Sequence, residues 1–265
     1  MIIKPDTTVR EVAGQVPRSR TVFQLHQIEW CCGGEGTLED AARDYGVNLD
    51  RLIRELRAVQ AASAAEAQGW HGEPLPRLVR HILDAHHRYL HRALPRIRLH
   101  LVKIIQHHGE KYGPLLRKVA DLFLVLEEDL ISHQLKEERI LFPAILVLDG
   151  AIRGGMSKPE TRGATFMAAI GRMELDHEDT IAALHILRGL TNGYTPPADA
   201  IPQMRAFMAE LRHLDADLHE HFHLESNILF PRAVELEAGW GAAAPAGKPG
   251  LVAAGQLPPG PPPAA

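Results

Sequence analysis

From Leu83 onward, apolar residues return every three or four positions, and the register holds over long runs. Leu83, Leu90, Leu94, Ile97, Leu101 and Ile104 make one stripe, and His87 and His108 fall on it. Leu122, Leu126, Leu130 and Ile140 make a second, which carries His133 and Glu137. Ile170, Met173, Ile181 and Leu184 carry His177, and Leu211, Leu214, Leu218 and Ile228 carry His221 and Glu225. Alternating three- and four-residue steps are the seam of a bundled helix, and the β-branched alternation of strands is lacking. Four long helices are predicted over 76–108, 114–148, 163–190 and 198–237. The breaks fall at Gly113-Pro114, at Gly154-Gly155 with Pro159, and at Gly193 with Pro196-Pro197. The fold class is all-α: a four-helix up-down bundle preceded by a small helical domain.

Residues 1–60 read as that small domain, a set of short helices carrying Cys31 and Cys32. Thr37-Leu38-Glu39-Asp40 has the form of a capping box, Gly46 is a stop, and Asn48 caps the next helix. Residues 61–73 read as a linker, 74–237 as the bundle, and 238–265 as a disordered Gly/Pro/Ala tail that buries too little apolar surface to order. The first domain is expected to be separable, so that a chain beginning near Glu73 folds by itself.

The second and fourth stripes are copies of each other. Asp129-Leu130-x-x-His133-x-x-x-Glu137-x-x-Ile140-Leu141-Phe142-Pro143 recurs at 217–231 with an offset of 88, identical at eight of fifteen positions. Each copy follows a helix with one histidine on its seam, His87 and His177. Two similar helical hairpins thus converge on a pseudo-symmetric centre. Two carboxylates and four imidazoles in a bundle core would each cost several kcal/mol of desolvation by order of magnitude. A pair of cations removes that cost, because it binds neutral imidazole and ionised carboxylate. The expected ligands are His87, His133, Glu137, His177, His221 and Glu225, two imidazoles per metal with shared carboxylates that bridge. Nitrogen and oxygen donors without thiolate fit Fe, Mn or Zn.

Histidine is abundant, with 16 copies against 14 of Phe, Trp and Tyr together. His108 lies on the first seam, but 21 residues at about 1.5 Å each place it roughly 30 Å from His87. His86 is one step off the seam and His91 is on its flank. His71, His81, His91, His100, His185, His213, His219 and His223 are expected to face solvent, as are the charges of Glu138, Glu174 and Glu178. Asp129 and Asp217, one turn before each seam histidine, are placed either to receive an imidazole N–H or to be solvated. A net charge of −4 and a pI near 6.5 exclude non-specific binding to nucleic acid or anionic membrane. No apolar run is long enough to span a bilayer, and no signal peptide is expected at the N-terminus. Two cysteines make no disulfide framework, so a reducing cytoplasm is the expected compartment.

At these positions the chain resembles the hemerythrin-like family, and within it the Repair of Iron Centres group (YtfE/ScdA type). The likeness rests on His86-His87-Arg88-Tyr89, Leu94-Pro95, His108-Gly109, His133-Gln134-Leu135-Lys136-Glu137-Glu138, Asp176-His177-Glu178, and His221 with Leu224 through Arg232. In the first domain it rests on Phe23, His26, and Ile28-Glu29-Trp30-Cys31-Cys32-Gly33-Gly34. Trp30 stands where the family is expected to have a smaller aromatic, and Asp129 and Asp176 where it often has Glu. The resemblance implies a non-haem centre of two iron ions, carboxylate- or oxo-bridged, on the six residues above. It further implies a stress-response role in repairing iron–sulfur clusters damaged by nitric oxide or oxidants. The expected partners are damaged iron–sulfur proteins, nitric oxide or dioxygen as small ligands, and a second copy in a homodimer. Alternative readings are a dioxygen or nitric-oxide binder or sensor, or a nitric-oxide reductase. For Cys31 and Cys32 two readings stand: buried thiols in a tight turn, or an exposed redox or iron-transfer pair.

Overall fold

The computed structural model describes residues 1–16, 18–32, 34, 36–62, 70–155 and 166–242, with the side chains of His108 and 240–242 excepted. The first domain comprises α1 (Val9–Gln15), α2 (Ser19–Leu25), α3 (Leu38–Asp44) and α4 (Leu49–Ala62). Thr8 and Thr37 each close a capping box, and a single backbone bridge between these residues ties the two helix starts together. Asn48 Oδ1 accepts the Arg51 N–H at 2.9 Å, and Gly46 takes the left-handed φ of +65° that ends α3.

The bundle comprises α5 (Leu75–His81), α6 (Arg88–Lys136), α7 (Phe142–Arg153), α8 (Phe166–Leu190), α9 (Pro202–Leu224) and α10 (Phe230–Ala242). Helical hydrogen bonding continues through the predicted break at Gly113-Pro114, so the first two expected helices are joined as α6. The chain nevertheless reverses there. His87 and Glu138, separated by 51 residues, are 2.8 Å apart, whereas a straight helix would separate them by about 75 Å. Arg98 meets Glu127 at 3.6 Å, and both pairs are centred between Tyr112 and Gly113. Pro114, which has no N–H to donate, marks the reversal. At the other end, α10 runs to Ala242, beyond the expected end at 237. Residues 63–69 of the expected linker, the 156–165 connection and the tail from 243 lie outside the described residues.

Three π-helical turns interrupt the regular helices: Ile82–His87, Glu137–Leu141 and Glu225–Leu229. Each adds a residue to the helix and rotates the next stretch of chain about the helix axis. Ile140, expected on the second seam, is therefore turned out and 67% exposed, while Leu141 takes the inward position at 4%. In the second copy Ile228 is 3% exposed, buried in an apolar cluster with Leu75, Leu78 and Phe230 of the bundle.

Two apolar clusters form the core. The larger joins Val12, Phe23, Trp30 and Leu38 of the first domain to Leu90, Leu130, Leu218 and Phe222 of the bundle. The smaller contains Ile82, Leu141, Phe142, Met173, Ile228 and Phe230. The larger cluster thus runs across the boundary between the two domains. Between the clusters lies a polar layer. Among the described residues no helix is long and apolar enough to cross a membrane.

Candidate metal centre

The polar layer contains all six predicted residues. Glu137, His177, His221 and Glu225 are fully buried, His87 is 1% exposed and His133 3%. Each lies where its seam passes from one apolar cluster to the other, and the π-turns place three of them: His87 closes the first, and Glu137 and Glu225 open the other two. They form two groups with both carboxylates in common: His87, Glu137, His221 and Glu225, then His133, Glu137, His177 and Glu225.

Each carboxylate divides its oxygens between the groups. Glu137 Oε2 lies 3.4 Å from His87 Nε2, and its Oε1 lies 3.2 Å from His133 Nε2. Glu225 Oε1 lies 3.0 Å from His221 Nε2, and its Oε2 lies 3.2 Å from His177 Nε2. The imidazoles face each other through Nε2, at 3.2 Å for His87 and His221 and 3.1 Å for His133 and His177. Donor atoms about 2.0–2.2 Å from a common cation stand roughly 3.0–3.5 Å from one another, so both groups fit one ion each. Both Glu137 oxygens and Glu225 Oε2 are buried without a hydrogen bond, a costly state for a carboxylate unless a cation compensates it.

Electrostatics point the same way. Burial, reinforced by neighbouring Glu137, pushes the Glu225 carboxyl well above the usual carboxylate range. Burial also acts to raise Glu137, but His133 and His87 hold it well below that range. Burial pushes His177 and His221 well down, helped by His133 and His87 respectively, leaving neutral rings with a free lone pair. Against the effect of burial, Glu137 and Asp176 raise His133.

Hydrogen bonds at the outer nitrogen hold two of these rings. His87 Nδ1–H donates to Glu138 Oε1 at 2.8 Å, and His177 Nδ1–H donates to Ser226 Oγ at 3.0 Å. His133 Nδ1 faces Asp176 at 3.6 Å. Glu138, expected among the solvent-facing charges, is thus a partner of the centre. Such a carboxylate orients the ring and raises its basicity, and losing one typically costs 10–100-fold in metal affinity. Glu138→Ala should therefore weaken metal binding about 10-fold or more, while Glu178→Ala leaves it unchanged. Competition with a chromophoric chelator measures both.

Other expectations change with the tertiary structure. Asp217 does not hold a centre histidine; it accepts the Nδ1–H of buried His86 at 3.0 Å, and His86 stacks on His221 at 5.3 Å. Asp129 lines a polar cavity of about 280 Å³ with Asp176, Asp179, Lys136 and Arg172, and His133 forms part of its wall. Glu174 pairs with Arg10 of the first domain at 3.1 Å. His219 and His223, expected in solvent, are buried beneath that domain.

Cys31 and Cys32 are also buried there, not joined by a disulfide, with their thiols in hydrogen-bond contact at 3.4 Å. Burial, together with Cys32 and Glu29, pushes the Cys31 thiol well up. The exposed thiolate pair is therefore not what the structure presents. The turn that carries them is docked on the centre's third π-turn: Asn227 Nδ2 donates to Trp30 O at 3.0 Å and lies 3.2 Å from Cys31 O and 2.8 Å from His223 Nδ1. Asn227 is two residues from Glu225.

Residues 78–233 match the family described as the hemerythrin HHE cation-binding domain, and residues 5–60 match ScdA_N, described as a domain of unknown function. Over 229 residues the chain is 33% identical to the iron-sulfur cluster repair protein YtfE of Enterobacter sp. (strain 638), covering 86% of this chain and 97% of the relative. The Yersinia pestis (strain Pestoides F) protein of the same name is 35% identical over 222 residues, 84% of this chain and 94% of its own length. The chain belongs to the YtfE family. The protein of that name from Pectobacterium atrosepticum is 32% identical over 232 residues, 88% of this chain and 98% of its own. The cation-binding match takes in all six residues of the polar layer, and the ScdA_N match takes in the docked cysteine turn.

Proposed function

We propose that this chain holds two iron ions in the polar layer and uses them to help restore damaged iron–sulfur clusters. The observation that carries the reading is the division of the Glu137 and Glu225 oxygens between two histidine pairs. The relatives' shared name, iron-sulfur cluster repair protein, supports the choice of role. His87 and His221 would hold one ion, His133 and His177 the other, with both carboxylates bridging. Two iron ions in such a site supply ligand exchange and one-electron redox chemistry. Glu138 and Ser226 keep Nε2 of His87 and His177 as the lone-pair atom by accepting a hydrogen bond from Nδ1–H. Phe142, Phe222 and Phe230 pack on the histidine rings and exclude bulk water from them. Damaged iron–sulfur proteins would be the clients, nitric oxide or dioxygen the small ligands, and a bacterial cytoplasm the setting.

The test is metal analysis of anaerobically purified protein, followed by its addition to an iron–sulfur enzyme inactivated with nitric oxide. Two irons per chain and faster recovery of the enzyme than with the same amount of free ferrous ion are expected. Preferential retention of zinc under equal supply, or recovery no faster than with free iron, would overturn the proposal.

A further inference from the structure

A second set of metal-binding groups lies outside the polar layer, where the first domain meets the bundle. Glu29 comes from the turn before the cysteines, His185 from α8 and His219 from α9. One donor atom of each lies within 4.8 Å of the others. Glu29 Oε2 is 3.4 Å from His219 Nε2 and 3.5 Å from His185 Nε2. These are close to the separations found between donors in the central layer.

The donors are held in place from behind. Glu29 Oε1 accepts the N–H groups of Trp30 at 3.0 Å and Cys31 at 3.2 Å, so that Oε2 is left to face the histidines. His219, 6% exposed, has its Nδ1 2.9 Å from Asp215 Oδ1 and 2.8 Å from the Asp215 carbonyl oxygen. A carboxylate on one ring nitrogen is the usual support of a metal-ligating histidine, whose other nitrogen then carries the lone pair. Asp215 is itself fixed by Arg188, whose Nη2 donates to Oδ1 at 2.8 Å. The neighbouring cations are occupied: Arg188 by Asp215, and Arg212 by the Tyr194 carbonyl at 2.8 Å. The three donors open onto a cleft of about 320 Å³ whose walls include Gln24, Tyr194 and Ala216.

We propose that Glu29, His185 and His219 form a separate site for one divalent transition-metal ion, zinc or ferrous iron by donor chemistry. Two imidazoles and a carboxylate suit those ions, whereas calcium and magnesium prefer all-oxygen sites. Three protein ligands beside an open cleft leave a coordination position for water or an incoming ligand, the pattern of an exchangeable site rather than a closed structural one. The ion ties the first domain to two bundle helices at once. It also places a positive charge beside Cys31 and Cys32, since Glu29 forms a second group of potential ligands with both thiols. The competing arrangement is a protonated His219 bridging Glu29 and Asp215 with no metal.

The two are separated by titrating the metal-loaded full-length protein with zinc, and in parallel with cobalt as an optical probe. One further equivalent per chain is expected, together with cobalt d–d bands. His185→Ala, at a side chain 45% exposed and dispensable to the core, should lose both while its central metal content stays unchanged. Glu29→Gln should lose them as well. Absence of the further equivalent in the unaltered protein, or its persistence in both variants, would overturn the site in favour of the ion pair. The central layer is assayed in the same samples, so failure there is read separately.

Discussion

Glu137→Ala is expected to leave purified protein with almost no metal in either position, whereas His177→Ala should lose a donor from one group only and retain the ion of the other. The asymmetry arises because Glu137 gives one oxygen to each histidine pair. Thermal unfolding separates loss of the site from loss of the fold. An ion bound at about a thousand times its dissociation constant stabilises by roughly 4 kcal/mol. In a chain of this size each kcal/mol moves Tm by about 2–4 °C. Two ions would thus be worth on the order of 20 °C, and metal-loaded protein should melt that far above Glu137→Ala. After chelation the two should melt within a few degrees of each other, because the variant has lost only a buried carboxylate whose oxygens lacked hydrogen-bond partners. Retention of both metals by Glu137→Ala would remove the bridging assignment.

Trp30→Ala is expected to have the next largest effect, and to have it on both domains. The indole is 3% exposed and lies 5.2 Å from the His223 ring and 6.3 Å from that of His219, with the Arg20 guanidinium 5.7 Å over its face. Truncating a buried aromatic costs about 3–5 kcal/mol, here roughly 10 °C in Tm. The loosened turn carries the carbonyl groups that Asn227 binds, so the π-turn Glu225–Leu229 should lose amide protection together with α1 and α2. Metal should also leave faster to a chelator, although no ligand has been touched. Hydrogen exchange resolves the outcome by segment. Unchanged protection of Glu225–Leu229 would mean that the first domain does not brace the centre.

The convergence of the six polar-layer residues was legible because the signal was redundant. A His and a Glu four apart on one helix face are common. Two such pairs in a repeat with a constant offset, each on an otherwise apolar seam, are not, and burial of that seam is a consequence of helical periodicity alone. The Thr37 capping box and the Gly46 stop were legible for a similar reason, since they depend on residues within one turn of each other.

What the sequence by itself determined is therefore the helical class, the inward faces, and the set of groups brought to one depth of the bundle, all consequences of local periodicity. The tertiary structure alone decided the rest. A π-turn needs one extra residue accommodated against neighbouring helices, so the exchange of Ile140 for Leu141 at the seam had no local signature. The two copies of the repeat share their pattern, yet Ile140 is exposed while Ile228 joins a buried apolar cluster, because different segments pack around the two turns. The packing of the first domain on the bundle buries His219, His223, Cys31 and Cys32, and brings Glu29 against His185 and His219. Which polar residues face solvent is a property of what packs over them, and that is set by contacts between segments nearly 200 residues apart.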